Sequence, residues 1–258
     1  MDKYDIIILG GQSNAEGCGI GPVNKEYEPN SDILYLTAEK TVVVDSEGMH
    51  ITYKEQPFLV SKAEERLSEE GASLGDFSLS FAKEYIEGGY LKEGRKLLIV
   101  RAAIGGTGFY KKQWGLGNFV YQKMLEMTDY ALSLNSENKV VAFLWHQGEH
   151  DAFEGNPPQN YKQQLNSLLA DVRMRYGEMP FIAGDFVNEW KSKNLSSCEP
   201  IVKVIREVVA QNVKCRFAET ADLLSNNQKT GNGDDIHFCR QSLYDLGKRY
   251  FDLFKNIV

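Results

Sequence analysis

The chain has 258 residues, 42% of them hydrophobic, and a formal net charge of −7 from 36 acidic against 29 basic side chains. That length suits one large α/β domain. The acidic balance, with basic residues scattered and not striped, argues against nucleic acid and anionic membrane as partners, and no apolar run approaches the ~20 residues of a membrane span.

The opening MDKYDIIILG has too short an apolar stretch for a signal peptide and carries Asp5 beside it, so a cytoplasmic location is expected. Residues 4–9 form the first predicted strand, and GQSNAEG at 11–17 follows at once. Gly10 and Gly11 permit a sharp strand-to-helix reversal that presents Ser13, ahead of a helix start whose first N–H groups lack partners. Neither GxGxxG nor GxxxxGK[ST] is present, which disfavours a nucleotide loop. Ala15 stands where the GxSxG elbow of α/β-hydrolases has its second glycine. From these seven residues alone, Ser13 reads equally as a nucleophile or as a helix cap.

Residues 24–62 depart from simple alternation. DILYLT (32–37), TVVVD (41–45) and HITYK (50–54) read as short strands, with DSEG (45–48) as a hairpin loop. This excursion is placed either to wall a substrate cleft or to embellish the surface. Residues 61–75 are polar and read as solvated helix and loop, and 77–86 show a helical apolar pattern. The apolar runs 96–103 and 140–145 suit buried parallel strands and end in AIGGT (103–107) and WHQGEHD (145–151), with a helix over 118–134 between them. Pro157 signals a helix start, after which Tyr161, Leu165, Leu168, Leu169, Val172 and Tyr176 keep helical spacing to Gly177. Strands at 180–184 and 213–217 flank a helix at 200–211. NNQKTGNG (226–233) reads as a turn-rich loop delivering GDDIHF, and Leu243, Leu246, Tyr250, Phe251 and Phe254 mark the last helix. The expected architecture is a single domain over 1–258: a three-layer α/β/α sandwich on a mostly parallel sheet, with a small β excursion after the nucleophile turn.

A nucleophilic serine needs a base, and the base an orienting group. Of four histidines, His50 lies in a solvated hairpin segment, whereas His237 has Asp234 three residues before it, close enough to turn back to Nδ1. Asp235, two residues before, points away more often. His146, Glu149 and His150 spell H-x-x-E-H, the inverted zinc-peptidase pattern, the metal-dependent alternative. Zinc needs both histidines on one helical face, yet His146 ends a β-type run and Gly148 interrupts, so no helix is expected there. Cys18, Cys198, Cys215 and Cys239 show no CxxC or His-linked spacing and read as free thiols without a structural zinc. Cys18 and Cys239 lie near Ser13 and His237, to line the site or to pack.

Four ordered blocks, GQSNAEG, AIGGT, WHQGEHD and DDIHF, together resemble those of the SGNH hydrolase superfamily, and within it the acetyl xylan esterase and sialate O-acetylesterase relatives. The resemblance runs from residue 4 to about residue 250. It implies a flavodoxin-like fold with Ser13 as nucleophile, His237 as base and then acid, and Asp234 as its orienter. The implied oxyanion donors are the Ser13 N–H, an N–H of Gly105 or Gly106, and the Gln147 side-chain amide. The implied substrate is an acetylated carbohydrate of the xylo-oligosaccharide or sialic acid type, with no metal or cofactor. Gln12, Phe109, Trp114 and Glu149 are candidates for substrate contact, and Tyr110, Phe153 and Trp190 could also stack on a sugar. Glu149 and Asp151 otherwise read as loop-holding residues. An SGNH esterase or thioesterase acting on non-sugar acyl groups, and a non-catalytic sugar-binding protein, are the remaining alternatives. Oligomeric state is not legible.

Overall fold

The computed structural model describes residues 2–28, 30–46, 48–54, 58–67 and 73–258. Its organising element is β1 (Lys3–Gly11), whose continuous apolar run is explained by burial on both faces. Ile7 and Leu9 face one core with Ala142, Leu144 and Ile182, while Ile8 faces another with Phe143, Trp145 and Phe181, the two-residue period of a strand. From β1 the chain passes through the one-turn helix α1 (Ser13–Glu16) to β2 (Ile33–Thr37), the hairpin strands β3 (Lys40–Asp45) and β4 (Gly48–Tyr53), and β5 (Leu59–Lys62). Two short strands, β6 (Arg66–Leu67) and β7 (Ser73–Leu74), pair before α2 (Ser78–Glu87).

Regular alternation then resumes: β8 (Arg95–Arg101), α3 (Phe119–Ser133), β9 (Lys139–His146), α4 (Glu149–Phe153), α5 (Pro158–Tyr176), β10 (Phe181–Gly184), α6 (Asn188–Lys193), α7 (Leu195–Gln211), β11 (Cys215–Ala218), α8 (Asn226–Thr230) and α9 (Arg240–Lys255). The central sheet has the order β11-β10-β9-β1-β8-β2-β5. It is parallel except for β5, which runs antiparallel to β2 at the edge. Helices α2 and α9 cover one face and α3, α5 and α7 the other, giving the α/β/α sandwich. Among the described residues no helix is long and apolar enough to cross a membrane.

Four local expectations need correction. Residues 61–75 hold strand β5's end and the β6–β7 pair where a helix was expected, because edge pairing with β2 and between β6 and β7 satisfies their backbone; residues 68–72 of that stretch, and Glu47 of the DSEG turn, lie outside the described residues. Helix α7 starts at Leu195, not at 200, and takes Pro200 inside it; Cys198, Ile201, Val202, Ile205 and Val208 bury a continuous face that outweighs the one lost backbone bond. A short helix, α4, does follow Gly148. Residues 226–230 form α8 under a reciprocal Ser225–Gln228 capping box, whose S-x-x-Q signature is present in the sequence.

Candidate active site

Central position in the sheet places the end of β1 between the ends of β8 and β9, the edge where parallel sheets bind ligands. Gly11 makes the turn there possible. Its φ is +134°, and a Cβ on it would stand 2.1 Å from the His146 carbonyl oxygen. The Gln12 N–H donates to that same oxygen at 3.0 Å. The side-chain Oε1 of Gln12 accepts from the His150 N–H at 3.1 Å, with the Gly148 N–H at 3.5 Å and Gln147 Nε2 at 3.3 Å. Strand β9's loop thus fixes both sides of the residue before Ser13.

His237 comes from the opposite wall, on the stretch between α8 and α9. Its Nδ1 lies 3.0 Å from Asp234 Oδ2 and 2.9 Å from Oδ1, and its backbone N–H donates to Oδ1 at 3.3 Å. Asn226 Nδ2 donates to Oδ2 at 2.8 Å. Burial pushes the Asp234 carboxyl up, but the hydrogen bonds from His237 and Asn226 outweigh it and hold the group below the usual carboxylate value. Asp235 instead pairs with Lys193 at 2.8 Å.

Ser13 and His237 line one cavity of about 490 Å³, together with Gln12, Glu16, Gly105 and Gly106. The Ser13 hydroxyl makes no hydrogen bond among the described residues. Cys18 also lines this cavity, whereas Cys239 is buried with its Sγ 3.3 Å from Ser242 Oγ.

The side chain of Asn14, which composition and spacing did not single out, connects the two walls. Fully buried, it donates through Nδ2 to Glu149 Oε1 at 3.0 Å and to the Ile236 carbonyl at 3.2 Å, and accepts the Phe238 N–H on Oδ1 at 3.0 Å. One side chain next to Ser13 therefore grips the peptide groups on both sides of His237. Glu149, which anchors it, lies wholly buried in the cleft wall, and burial raises its carboxyl.

The backbone donors divide. The Gly105 N–H is taken by Glu16 Oε2 at 2.7 Å, and Glu16 Oε1 pairs with Lys40 on β3 at 3.0 Å. The Ser13 and Gly106 N–H groups carry no hydrogen bond among the described residues. Gln147 needs correction: it is completely buried, outside the cavity lining, and its Nε2 is committed to Asp151 Oδ2 at 2.7 Å and the Thr107 carbonyl at 3.1 Å. The amide that opens on the cleft is Gln12's. Its Oε1 is held from behind, while its Nε2 has no partner among the described residues.

Phe109 and Trp114 also need correction. Phe109 packs between Trp145 and Tyr161, and Trp114 sits edge-on to Trp145 at 4.9 Å with its Nε1 donating to Thr107 Oγ1 at 2.8 Å. Both are core, as is Trp190; aromatic rings dominate core packing because each buries a large apolar area. Phe153, 77% exposed, is the aromatic that lines the cleft. Asp151 holds the loop before it: Oδ2 accepts Gln147 Nε2 and the Phe109 N–H, and Oδ1 accepts the Tyr110 N–H and Asn156 Nδ2, all within 3.0 Å.

The H-x-x-E-H residues do not converge. Tyr250 Oη donates to the Trp145 carbonyl at 2.9 Å and so accepts from His146 Nδ1 at 3.1 Å, which leaves Nε2 unprotonated and enclosed. His150 faces the cleft instead. Among the described residues no three His, Cys, Asp or Glu side chains are grouped to share a metal ion.

The sequence and fold match known proteins over nearly their whole length. A family model described as carbohydrate esterase, sialic acid-specific acetylesterase, matches residues 3–256. A probable carbohydrate esterase of Arabidopsis thaliana is 25% identical, with 94% of this chain and 86% of that protein covered. A probable 9-O-acetyl-N-acetylneuraminic acid deacetylase of Escherichia coli K12 is 23% identical, over 82% and 76%. The crystal structure of NanS superposes with a TM-score of 0.75 at 17% identity, over 99% of this chain and 97% of that one. An acetylxylan esterase from Geobacillus stearothermophilus shares the fold at a TM-score of 0.51 and 10% identity, over 98% and 95%. The chain belongs to the carbohydrate esterase, sialic acid-specific acetylesterase family, and is a carboxylic ester hydrolase of SGNH fold.

Proposed function

We propose that the protein is a serine esterase that removes O-acetyl groups from carbohydrates through Ser13, His237 and Asp234. The observation that carries this reading is the Asp234–His237 pair, 2.9–3.0 Å apart, on the wall of the same cavity that Ser13 enters from the end of β1. Ser13 Oγ attacks the acetyl carbon while His237 Nε2 takes the hydroxyl proton, and Asp234 stabilises the resulting imidazolium through Nδ1. The carbonyl electron pair moves onto oxygen. The Ser13 and Gly106 N–H groups and the Gln12 amide are the donors available to it. Collapse breaks the bond to the sugar oxygen, which leaves with the proton from His237. A water then attacks the acetyl-serine with His237 again as base, and acetate departs as Ser13 regains its proton.

Acetylated xylo-oligosaccharides and O-acetyl sialic acids are the substrate types this reading covers; the family description and the name of the Escherichia coli relative support the second. The test is hydrolysis of p-nitrophenyl acetate by wild type and Ser13→Ala, with and without EDTA. Loss of activity in the variant on the order of 10⁴-fold or more, with wild type indifferent to EDTA, is the expected result. Activity that survives Ser13→Ala but dies with EDTA overturns the proposal.

A further inference from the structure

A second cavity, of about 380 Å³, opens beside the catalytic one and shares Gly106 and His150 with it. Its outer wall is the β3–β4 hairpin, through Val44, Gly48 and Met49, and its inner wall carries Lys111, Gln113 and Glu154. Strand β3 is mostly exposed along its length, while Ile51 and Tyr53 of β4 pack against the core and hold the hairpin at the site. Lys40 binds Glu16, and the Met49 side chain lies where a Cβ on Gly106 would come within 2.7 Å of its Cε.

The inner wall is built for hydroxyl groups. Gln113 is 5% exposed, and its Oε1 is used by the Gly108 N–H at 2.8 Å. Its Nε2 has no partner among the described residues and is not one of the enclosed orphan atoms, so the amide donor is open to the cavity. Glu154 accepts from Lys111 Nζ at 2.9 Å and has His150 Nε2 at 3.8 Å. Burial depresses His150, so its imidazole is held toward the neutral form. The wall therefore offers one amide donor, one ammonium and one carboxylate, with no net charge. Met49 and Val44 add an apolar strip against which the C–H face of a sugar ring can rest.

We infer that this second cavity is the subsite for the departing sugar, and that Gln113, Lys111 and Glu154 select a neutral polyhydroxyl ring over a carboxylate-bearing one. This rests on the proposed esterase function and narrows its two substrate types to the neutral one, against the type that the family description names. Hydroxyls can donate to Glu154 while accepting from Gln113 Nε2 and Lys111. A sugar carboxylate meets in Lys111 a cation already compensated by Glu154, and no other Lys or Arg lines either cavity among the described residues.

The test compares kcat/KM for p-nitrophenyl acetate, acetylated xylobiose and 9-O-acetyl-N-acetylneuraminic acid in wild type, Gln113→Glu and Glu154→Gln. Gln113→Glu keeps an oxygen for the Gly108 N–H, removes the donor and adds a negative charge to the cavity wall. Wild type is expected to favour the neutral ester, and Gln113→Glu to lower its kcat/KM about tenfold relative to p-nitrophenyl acetate, the worth of one hydrogen bond. Glu154→Gln releases Lys111 and should narrow the gap between neutral and anionic esters. A wild-type preference for the sialate, or variants that shift all three substrates in parallel, overturns the subsite. Hydrolysis of p-nitrophenyl acetate with neither sugar ester cleaved removes the carbohydrate reading itself, and this inference with it.

Discussion

Replacing Asn14 by alanine tests whether the nucleophile and the base are held in register by one buried side chain. The substitution removes three hydrogen bonds of 3.0–3.2 Å and strands the Phe238 N–H, the Ile236 carbonyl and the Glu149 carboxyl. Glu149 already has one oxygen without a partner. Each buried orphan costs about 1–3 kcal/mol. Because the three share one site their costs do not add fully, so the loss comes to about 3–5 kcal/mol. That is a large part of the ~5–15 kcal/mol holding a typical domain together, so the variant's fold is checked first by its urea transition. Catalysis should suffer separately. Ile236 and Phe238 flank His237, and a misplacement of ~1 Å at reacting groups lowers rate about 100-fold. Urea unfolding followed through the buried Trp114, Trp145 and Trp190 gives the first quantity, and initial rates on p-nitrophenyl acetate the second. Asn14→Asp is the control: it retains the acceptor for the Phe238 N–H but sets a carboxylate against Glu149, so it should be no more stable than the alanine variant. A stability loss below about 1 kcal/mol, or an unchanged kcat, refutes the reasoning.

Gln12→Glu keeps the oxygen that binds the Gly148 and His150 N–H groups but loses the amide facing the cleft; kcat should fall about 100- to 1,000-fold, as for loss of one oxyanion donor, and a normal kcat would return that role to another group. Asp151→Ala orphans the Phe109 N–H and Asn156 Nδ2 in buried surroundings and should cost about 3 kcal/mol in urea unfolding, with a change below a third of that counting against a loop-holding role. Burial pushes His146 from its ordinary 6.5 down to about 3, so between those values the unfolded chain binds a proton that the folded chain does not. Stability is intact above pH 6.5 and drops by ~1.4 kcal/mol per pH unit as pH falls through that window. His150, also depressed, acts in the same direction, while Glu149, raised by burial, acts in the opposite one. His146→Gln, measured beside wild type, isolates the effect: the slope should flatten, and identical slopes would count against a neutral buried imidazole.

What the sequence revealed of the fold followed burial. Ile6 to Leu9, Leu97 to Val100 and Ala142 to Trp145 are buried on both faces, so their continuous apolar runs identify central parallel strands. The weakest inferences came where structure depends on a neighbour. Strands β6 and β7 are two residues each and exist only as a pair. Phe109 and Trp114 share their composition with sugar-stacking residues, and only the Trp145 and Tyr161 rings beside them mark them as core. At the site, residue types were legible but hydrogen-bond allocation was not. Gln12 and Gln147 touch each other. Which amide faces the cleft is decided by Asp151 and Thr107, which claim the hydrogens of Gln147.

The hairpin β3–β4 reaches the candidate site through the Lys40 charge as well as through Met49 beside Gly106. Glu16 lies one helical turn after Ser13 and lines the same cavity, so an uncompensated carboxylate there would oppose the negative charge that develops on the acetyl oxygen. Lys40, from the first strand of the hairpin, pairs with one of its oxygens at 3.0 Å, and the Gly105 N–H binds the other at 2.7 Å. The excursion that interrupts the βα alternation therefore supplies one cation, beside Arg101 of β8, where Glu16 braces the Gly105 loop next to Ser13. On its far side the same strands wall the second cavity. On the proposed mechanism, an insertion that looks ornamental along the chain would touch both the electrostatics of the oxyanion and the room left for the departing sugar. The two functions should change together when the hairpin is altered.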